Sequence, residues 1–161
     1  MNALGLTPLG RAADLGPLVL RVLVGGIMFA HGFQKWFDTG PAEFGSSSIA
    51  ALGFPAPEFF GYLVATSELV FGALLVLGLL TRLSTIPLAV ILGVAVIGVK
   101  LEVGLIGAMM TGYELNLALL AGLVALLFLG GGRLSLDHLL GLDRGPGPAR
   151  GAARTPEPRG A

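Results

Sequence analysis

Cysteine is absent from this chain of 161 residues, and histidine occurs only twice. The absence of cysteine excludes disulfides, thiolate metal sites and a Cys-x-x-Cys redox relay. Two histidines do not suffice for a histidine-based metal centre, so the sequence predicts no metal site. Charge is scarce as well, since Asp, Glu, Lys and Arg make up 12% of the residues, about half of the ~25% typical of soluble domains.

Apolar residues take the place of the missing charge. They make up 54% of the chain, the mean hydropathy is +0.85, and they fall in long runs. This pattern predicts an integral membrane protein, whose expected partner is the lipid bilayer and not a nucleic acid. The 26 glycines are spread through the apolar runs, as in helices that pack closely within lipid.

The apolar runs predict an all-α membrane protein, a four-transmembrane-helix antiparallel bundle. The four predicted spans are residues 18–37, 59–80, 85–102 and 113–130. The second run of ~22 residues reaches ~33 Å, which is enough to cross a bilayer. The first run has the look of a signal peptide, but Arg21 lies inside it and no convincing cleavage site follows, so we expect it to be retained.

The segments between the spans have distinct compositions. Asp38–Pro57 is predicted to be a polar loop, and Thr81–Ser84 a very short link in which Ser84 caps the third helix. Residues 133–141 predict a short interfacial helix with its leucines toward the acyl chains. Residues 1–16 are expected to form a short cytoplasmic segment, residues 17–142 the membrane domain, and residues 143–161 a disordered tail rich in Gly, Pro and Arg.

The basic residues are distributed unevenly along this topology. Four spans place both termini on one side, together with eight arginines, whereas only Lys35 and Lys100 fall on the other side. The positive-inside rule therefore predicts that both termini are cytoplasmic, in a multi-pass N-in/C-in arrangement. Arg21 and Arg82 lie near the predicted cytoplasmic surface, and we expect them to act as topology anchors.

Polar side chains collect in the opposite, outer half of the predicted bundle. Ionisable groups inside a span are costly, so they mark a ligand site, a proton path or a buried pair. The candidates for ligand binding or proton relay are His31, Gln34 and Lys35 on the first helix, Glu68 on the second, Lys100 on the third, and Glu114 and Asn116 on the fourth.

Glu68 is the strongest of these candidates because it is too deep to reach the interface easily. Gly61, Ala65 and Gly72 share its helix face, and such a small-residue face is where another helix approaches, so Glu68 is predicted to point into the bundle. A structural pair of Glu68 with His31 or Lys35 is the alternative to a ligand site. The lysines have an alternative too, since each lies near a span end and could extend to the interface.

Several segments together resemble a known family, the DoxX family of small bacterial integral membrane proteins, over about residues 17–142. The resemblance implies four transmembrane helices in the bacterial cytoplasmic membrane. Better-known members are associated with thiosulfate:quinone oxidoreduction and with membrane complexes that help to detoxify radicals. The segments that carry the resemblance are Leu20–Val22, Ala30–Trp36, Gly53–Pro57, Ser67–Leu69, Gly78–Arg82, Gly112–Leu115 and Gly132–Asp137.

The function implied by this resemblance is a quinone-linked or redox-complex membrane subunit with an extracytoplasmic polar pocket. His31 and Lys35 would hydrogen-bond a quinone head group, and Glu68 would relay protons. The sequence has no evident flavin, haem or iron–sulfur ligand set, so a redox-enzyme partner subunit would supply the redox centre, and the chain would be at most one subunit of an oxidoreductase. The alternatives are a structural or assembly protein, alone or as a homo-oligomer, and a small transporter or proton path.

Overall fold

The computed structural model describes residues 15–100, 104–106 and 112–142, and excludes the side chains of residues 99 and 100. All regular elements of the described residues are helical, which confirms the all-α prediction for them. The α-helices are α1 (Leu15–Phe33), α2 (Pro41–Phe44), α3 (Pro57–Leu77), α4 (Thr81–Ala95), α5 (Glu114–Leu129) and α6 (Leu136–Leu139). Helices α1 and α4 continue as wider π-helical turns, at Gln34–Thr39 and Val96–Lys100.

Within the described residues, three helical stretches are long and apolar enough to cross a membrane. They are Leu15–Thr39, Pro57–Leu77 and Thr81–Gly98. Helix α5 is apolar but has only 16 residues, or ~24 Å, against a hydrocarbon core of ~30 Å. The fourth span and the cytoplasmic placement of the termini therefore stay predictions.

The four long helices pack as a ring around one core. Helix α1 lies along α3, α3 contacts α4, α4 packs on α5, and α5 closes the ring against α1. Large apolar side chains also cover the outward faces, as expected where lipid is the solvent. The core side chains come from all four helices and are Val24, Met28, Leu75, Leu88, Leu92, Leu119, Leu123 and Leu126.

Helices α1 and α3 approach so closely that their backbones touch. A side-chain carbon at Gly32 would strike the backbone of Leu69, and one at Gly72 would strike the backbone of Phe29. Because no side chain separates the two helices at these points, the glycines determine the register in which α1 lies on α3. This register places the Gly32 turn directly beside Glu68.

The small-residue face predicted for the second span is confirmed. Gly61, Ala65, Glu68 and Gly72 are all buried on α3. Gly61 makes room for the chain that follows α1, since a side-chain carbon at this position would strike the backbone of Pro41 and Gly45. Helix α1 therefore packs on the small residues of α3, and the segment that follows α1 packs on the small residue near the start of α3.

The prediction of a polar loop between the first two spans is wrong, because much of the segment is helical. It contains α2, a π-helical turn at Gly45–Ile49 and a 3₁₀ turn at Ala50–Leu52. We call residues 41–52 the capping segment because they fold over the first turns of α3. Glycine permits this contact, since Gly45 lies against the backbone of Pro57 and Glu58. The composition of this segment is typical of a loop because its helical turns are short and depend on tertiary packing for their stability.

The short link predicted between the second and third spans is present, but it lies at residues 78–80 and not at 81–84. Helix α4 begins at Thr81, so Ser84 lies inside the helix and does not cap it. Helix α3 ends at Leu77 and is followed by Gly78, whose φ of 69° is the left-handed conformation that glycine adopts readily. The cap of α4 comes instead from Asp137, whose carboxylate accepts hydrogen bonds from the N–H groups of Leu80, at 2.6 Å, and Thr81, at 2.8 Å. Sequence spacing cannot reveal a cap that is supplied from 56 residues away.

The predicted interfacial helix is present in a shortened form, as α6. Ser135 caps it by accepting a hydrogen bond from the N–H of His138 at 3.1 Å, and Leu139 is 77% exposed. Its position at a membrane interface stays a prediction. The predicted tail at 143–161 and nearly all of the segment at 1–16 lie outside the described residues.

The contact between α1 and α3 predicts different effects for two nearby glycines of α1. Gly32→Ala places a methyl group against the backbone of Leu69, so we expect a loss of about 1–3 kcal/mol in unfolding free energy. Gly26→Ala has open space around it, so we expect no loss and a gain of up to about 1 kcal/mol from helix propensity. Unfolding of the purified proteins in detergent micelles measures both, and equal stability of the two variants would contradict the backbone contact.

Candidate functional site

Lys35 and Glu68 form an ion pair between α1 and α3. The Lys35 Nζ atom lies 2.5 Å from Glu68 Oε2, and the two side chains are 16% and 6% exposed. Glu68 is 11 residues from the start of α3, or ~17 Å along the helix, so the pair lies deep within the apolar span. The geometry matches the structural pair that the sequence left open, and it gives the carboxylate a partner inside the bundle.

The capping segment covers this ion pair with an aromatic ring. The Lys35 Nζ atom lies 5.1 Å from the centroid of the Phe44 ring, within the ~6 Å range of a cation–π interaction. Beside it, the rings of Trp36 and Tyr62 meet edge to face at 5.8 Å. Lys35 is therefore held between a carboxylate and a phenyl ring. Phe44 was not a candidate from the sequence, because only the folding of the capping segment brings it over Lys35.

His31 and Gln34 lie on a different surface from the ion pair. His31 is exposed at the edge of the buried stripe of α1, about 60° around the helix from Met28 at ~3.6 residues per turn. The sequence left His31 and Lys35 as alternative partners of Glu68, and the structure pairs Glu68 with Lys35.

An open groove occupies the outward side of α1, where the α-helix passes into π-helical turns. Its volume is about 510 Å³. The walls are mostly apolar, with an imidazole, an amide and a carboxylate at the rim. The groove is lined by Phe29, Ala30, His31, Phe33, Gln34 and Asp38.

An aromatic ladder runs along this groove at a spacing of four residues. The ring centroids of Phe29 and Phe33 are 6.2 Å apart, and those of Phe33 and Phe37 are 4.5 Å apart. All three rings are exposed, and they face the side on which lipid would lie. Phenyl rings bind planar rings by stacking, and the neighbouring His31 and Gln34 offer hydrogen-bond donors and acceptors. The arrangement therefore suits a planar molecule with polar substituents that enters from the bilayer.

The remaining predicted candidates are not brought to this region by any described contact. Glu114 is exposed in the first turn of α5, and Asn116, two residues further along, is half-buried. The side chain of Lys100 lies outside the described residues. Among the described residues, no cluster of three or more His, Asp or Glu side chains could hold a metal ion. The predicted polar layer is thus represented in the structure by the ion pair and by the groove of α1.

Arg21 lies at the opposite end of α1 and is 3% exposed. Its guanidinium donates to the carbonyl of Val76 at 2.7 Å and to the carbonyl of Leu134. The first bond satisfies a carbonyl left unpaired at the C-terminus of α3. Arg82, by contrast, is exposed, and its guanidinium donates to the carbonyl of Leu127 at 3.1 Å. The role of both arginines as topology anchors stays a prediction, but Arg21 also joins three parts of the fold.

Comparison with known proteins identifies relatives along most of the chain. The DoxX family matches residues 16–101, which include the ion pair and the groove. An uncharacterized membrane protein of Mycobacterium tuberculosis is 35% identical over 132 residues, covering 76% of this chain and 80% of that protein. No solved structure gives a significant match.

Two further relatives match a large part of the chain. A Bacillus subtilis protein named "Putative oxidoreductase CatD" is 34% identical over 100 residues, which are 62% of this chain and 70% of that protein. An uncharacterized protein of Haemophilus influenzae is 30% identical over 137 residues, which are 81% of this chain and 87% of that protein.

The buried ion pair predicts strong coupling between Lys35 and Glu68. Lys35→Met and Glu68→Gln each leave one buried charge unpaired, so we expect each to lower the unfolding free energy by about 3–5 kcal/mol. The double variant removes both charges and should be more stable than the sum of the single losses predicts. Unfolding in detergent micelles measures this cycle. Glu43→Gln, at an exposed carboxylate of α2, is the control, with an expected change within about 0.5 kcal/mol. Additive losses in the double variant would contradict the pair.

Proposed function

Because this chain belongs to the DoxX family of membrane proteins, we propose that it serves as a membrane subunit of an oxidoreductase complex and binds a lipid-soluble quinone head group in the groove of α1. The observation that carries the proposal is the exposed aromatic ladder beside His31 and Gln34. Similarity to a relative named as an oxidoreductase supports the redox assignment. A redox-enzyme partner subunit provides the electrons in this proposal.

The groove residues have different roles in binding. Phe29 and Phe33 stack on the ring of the head group, while the apolar tail remains in the adjoining lipid. His31 and Gln34 hydrogen-bond the ring oxygens, and the amide determines orientation because it both donates and accepts. A quinone takes up two electrons and two protons when it is reduced. His31 is suited to proton exchange at a ring oxygen, because an imidazole can both donate and accept a hydrogen bond.

In this proposal the ion pair positions the groove residues and does not contact the head group. Lys35 follows Gln34 directly, so its bond to Glu68 restrains the turn of α1 on which the groove residues lie. Phe44 contributes to the same restraint by covering the ammonium group. Lys35 and Glu68 are therefore assigned to positioning, and contact with the head group is assigned to His31 and Gln34.

The finer membrane topology belongs to the same proposal. We place α5 as the fourth span, with both termini on the cytoplasmic side of the bacterial cytoplasmic membrane. The eight-to-two distribution of basic residues in the sequence supports this orientation. The groove and the buried ion pair then lie toward the extracytoplasmic leaflet, where a partner enzyme outside the cytoplasm can reach the groove.

A second candidate function is a structural or assembly role without a ligand. The observation that favours it is that Lys35 and Glu68 satisfy each other within the protein. Under this alternative the ion pair holds α1 and α3 together for a partner complex, and the groove takes only lipid tails. Substitutions at His31 would then leave complex formation unchanged, whereas substitutions at Glu68 would lower the abundance of the complex.

Quinone binding predicts a specific loss on substitution of His31. The chain has one tryptophan, Trp36, which lies in the same turns of α1 and reports a bound quinone by fluorescence quenching. His31→Ala removes one hydrogen bond worth about 0.5–1.5 kcal/mol, so we expect the Kd of a short-tailed quinone to rise roughly twofold to tenfold.

The control for this measurement is His138→Ala, at the exposed histidine of α6. It should leave the Kd unchanged, while Phe33→Ala should raise it through the loss of stacking. Wild-type affinity in both groove variants would sink the quinone proposal and leave the structural role as the better account.

A further inference from the structure

The rim of the α1 groove carries a third polar side chain, to which the proposed function gives no role. Asp38 lines the groove together with His31 and Gln34, and its side chain is exposed. It follows Gln34 by four residues, about one helical turn, and His31 by seven residues, about two turns. Along the groove an imidazole is therefore followed by an amide, and the amide by a carboxylate at the end of α1 that leads out of the apolar run.

The carboxylate of Asp38 is available to a ligand. Among the residues that the structure describes, no hydrogen bond or ion pair engages it. Glu68 is the opposite case, because its carboxylate is buried and bonded to Lys35. The aromatic ladder continues to the level of Asp38, since the ring of Phe37, the preceding residue, lies 4.5 Å from the ring of Phe33. A planar ring stacked on this ladder therefore has its edge beside the carboxylate.

The three polar groups of the rim differ in their hydrogen-bonding capacity. A neutral imidazole and an amide each donate and accept, whereas an ionised carboxylate only accepts. The oxygens of a quinone are carbonyl oxygens, which only accept, but the oxygens of a quinol are hydroxyls, which also donate. A quinone oxygen beside Asp38 brings two acceptors together without a proton between them. A quinol hydroxyl at the same place supplies the donor that the carboxylate needs.

We propose, on the basis of the function proposed above, that Asp38 makes the groove selective for the reduced, quinol form of the head group. The ring stacks on Phe33. One hydroxyl donates to the Asp38 carboxylate and accepts from the amide N–H of Gln34, so that both capacities of this hydroxyl are used. The other hydroxyl bonds to His31. Asp38 is thus a specificity-determining residue that distinguishes the two redox states of one ligand.

Selectivity for the quinol affects electron transfer at the groove. Binding of the quinol tenfold more tightly than the quinone raises the two-electron reduction potential of the bound pair by about 30 mV. The groove then favours the passage of electrons from the partner subunit into the bound quinone. Release of the quinol into the bilayer is correspondingly slower.

The selectivity is measured with the full-length protein and the two redox forms of one ligand. Equilibrium dialysis in detergent micelles under argon gives the Kd of a short-tailed benzoquinone and of its quinol, with protein-free micelles as the correction for partitioning. A hydrogen bond to a charged group is worth tenfold or more in affinity. We expect the wild-type protein to bind the quinol about tenfold more tightly, because the site is exposed. The dimethyl ether of the quinol lacks the O–H donors and should lose this advantage.

Asp38→Asn tests the carboxylate itself. The amide has nearly the same size, but it has no charge and can donate, so we expect the preference to fall to about twofold or less through weaker binding of the quinol. Glu43→Gln removes the same charge from an exposed carboxylate that does not line the groove. It should keep the tenfold preference.

Three results would overturn the selectivity and leave the proposed function in place. These are equal affinity of the wild-type protein for quinone and quinol, an equal loss of preference in the two variants, and full retention of the preference by the dimethyl ether. The first and third need only the wild-type protein, so they hold even if a variant fails to fold. Failure of both redox forms to bind saturably would overturn the proposed function, and the selectivity with it.

Discussion

The direct contact between the backbones of α1 and α3 is the constraint on which the rest of the structure depends. In lipid, helices gain little from apolar burial against one another, so close packing through small residues supplies much of their attraction. Gly32 and Gly72 allow this approach because a side chain at either position would meet the opposite backbone. Because the register is set in this way, α1 has little freedom to slide along α3. The register also determines which polar groups meet at each end of the helix pair.

The two ends of this helix pair carry two different polar clusters. At one end Lys35 reaches Glu68 beneath Phe44, and at the other end Arg21 reaches the last carbonyls of α3 near Asp137. Each cluster joins segments that are remote in sequence, and Arg21, Lys35 and Glu68 all lie within the region that matches the DoxX family. One cluster is an ion pair, and the other is a helix-capping clasp.

The groove of α1 has a different physical character from both clusters. Its polar groups are exposed and its rings face outward, so nothing in the fold requires His31 or Gln34 at these positions for packing. The ion pair, by contrast, is explained by the cost of an unpaired buried charge. This difference is the reason for assigning ligand contact to the groove and positioning to the pair. It also separates the two roles that the sequence placed in a single polar layer.

The sequence by itself determined the helical membrane class, the approximate positions of the first three spans, the family and the inward direction of Glu68. These follow from hydrophobic runs and from the helical spacing of small residues, which are local properties. The tertiary structure decided that Lys35 and not His31 pairs with Glu68, that Phe44 covers the ammonium group, and that Asp137 caps α4. Those outcomes depend on the register between α1 and α3 and on contacts across 33 and 56 residues. Helical periodicity places a side chain on a face, but only packing against a second helix decides which partner it meets.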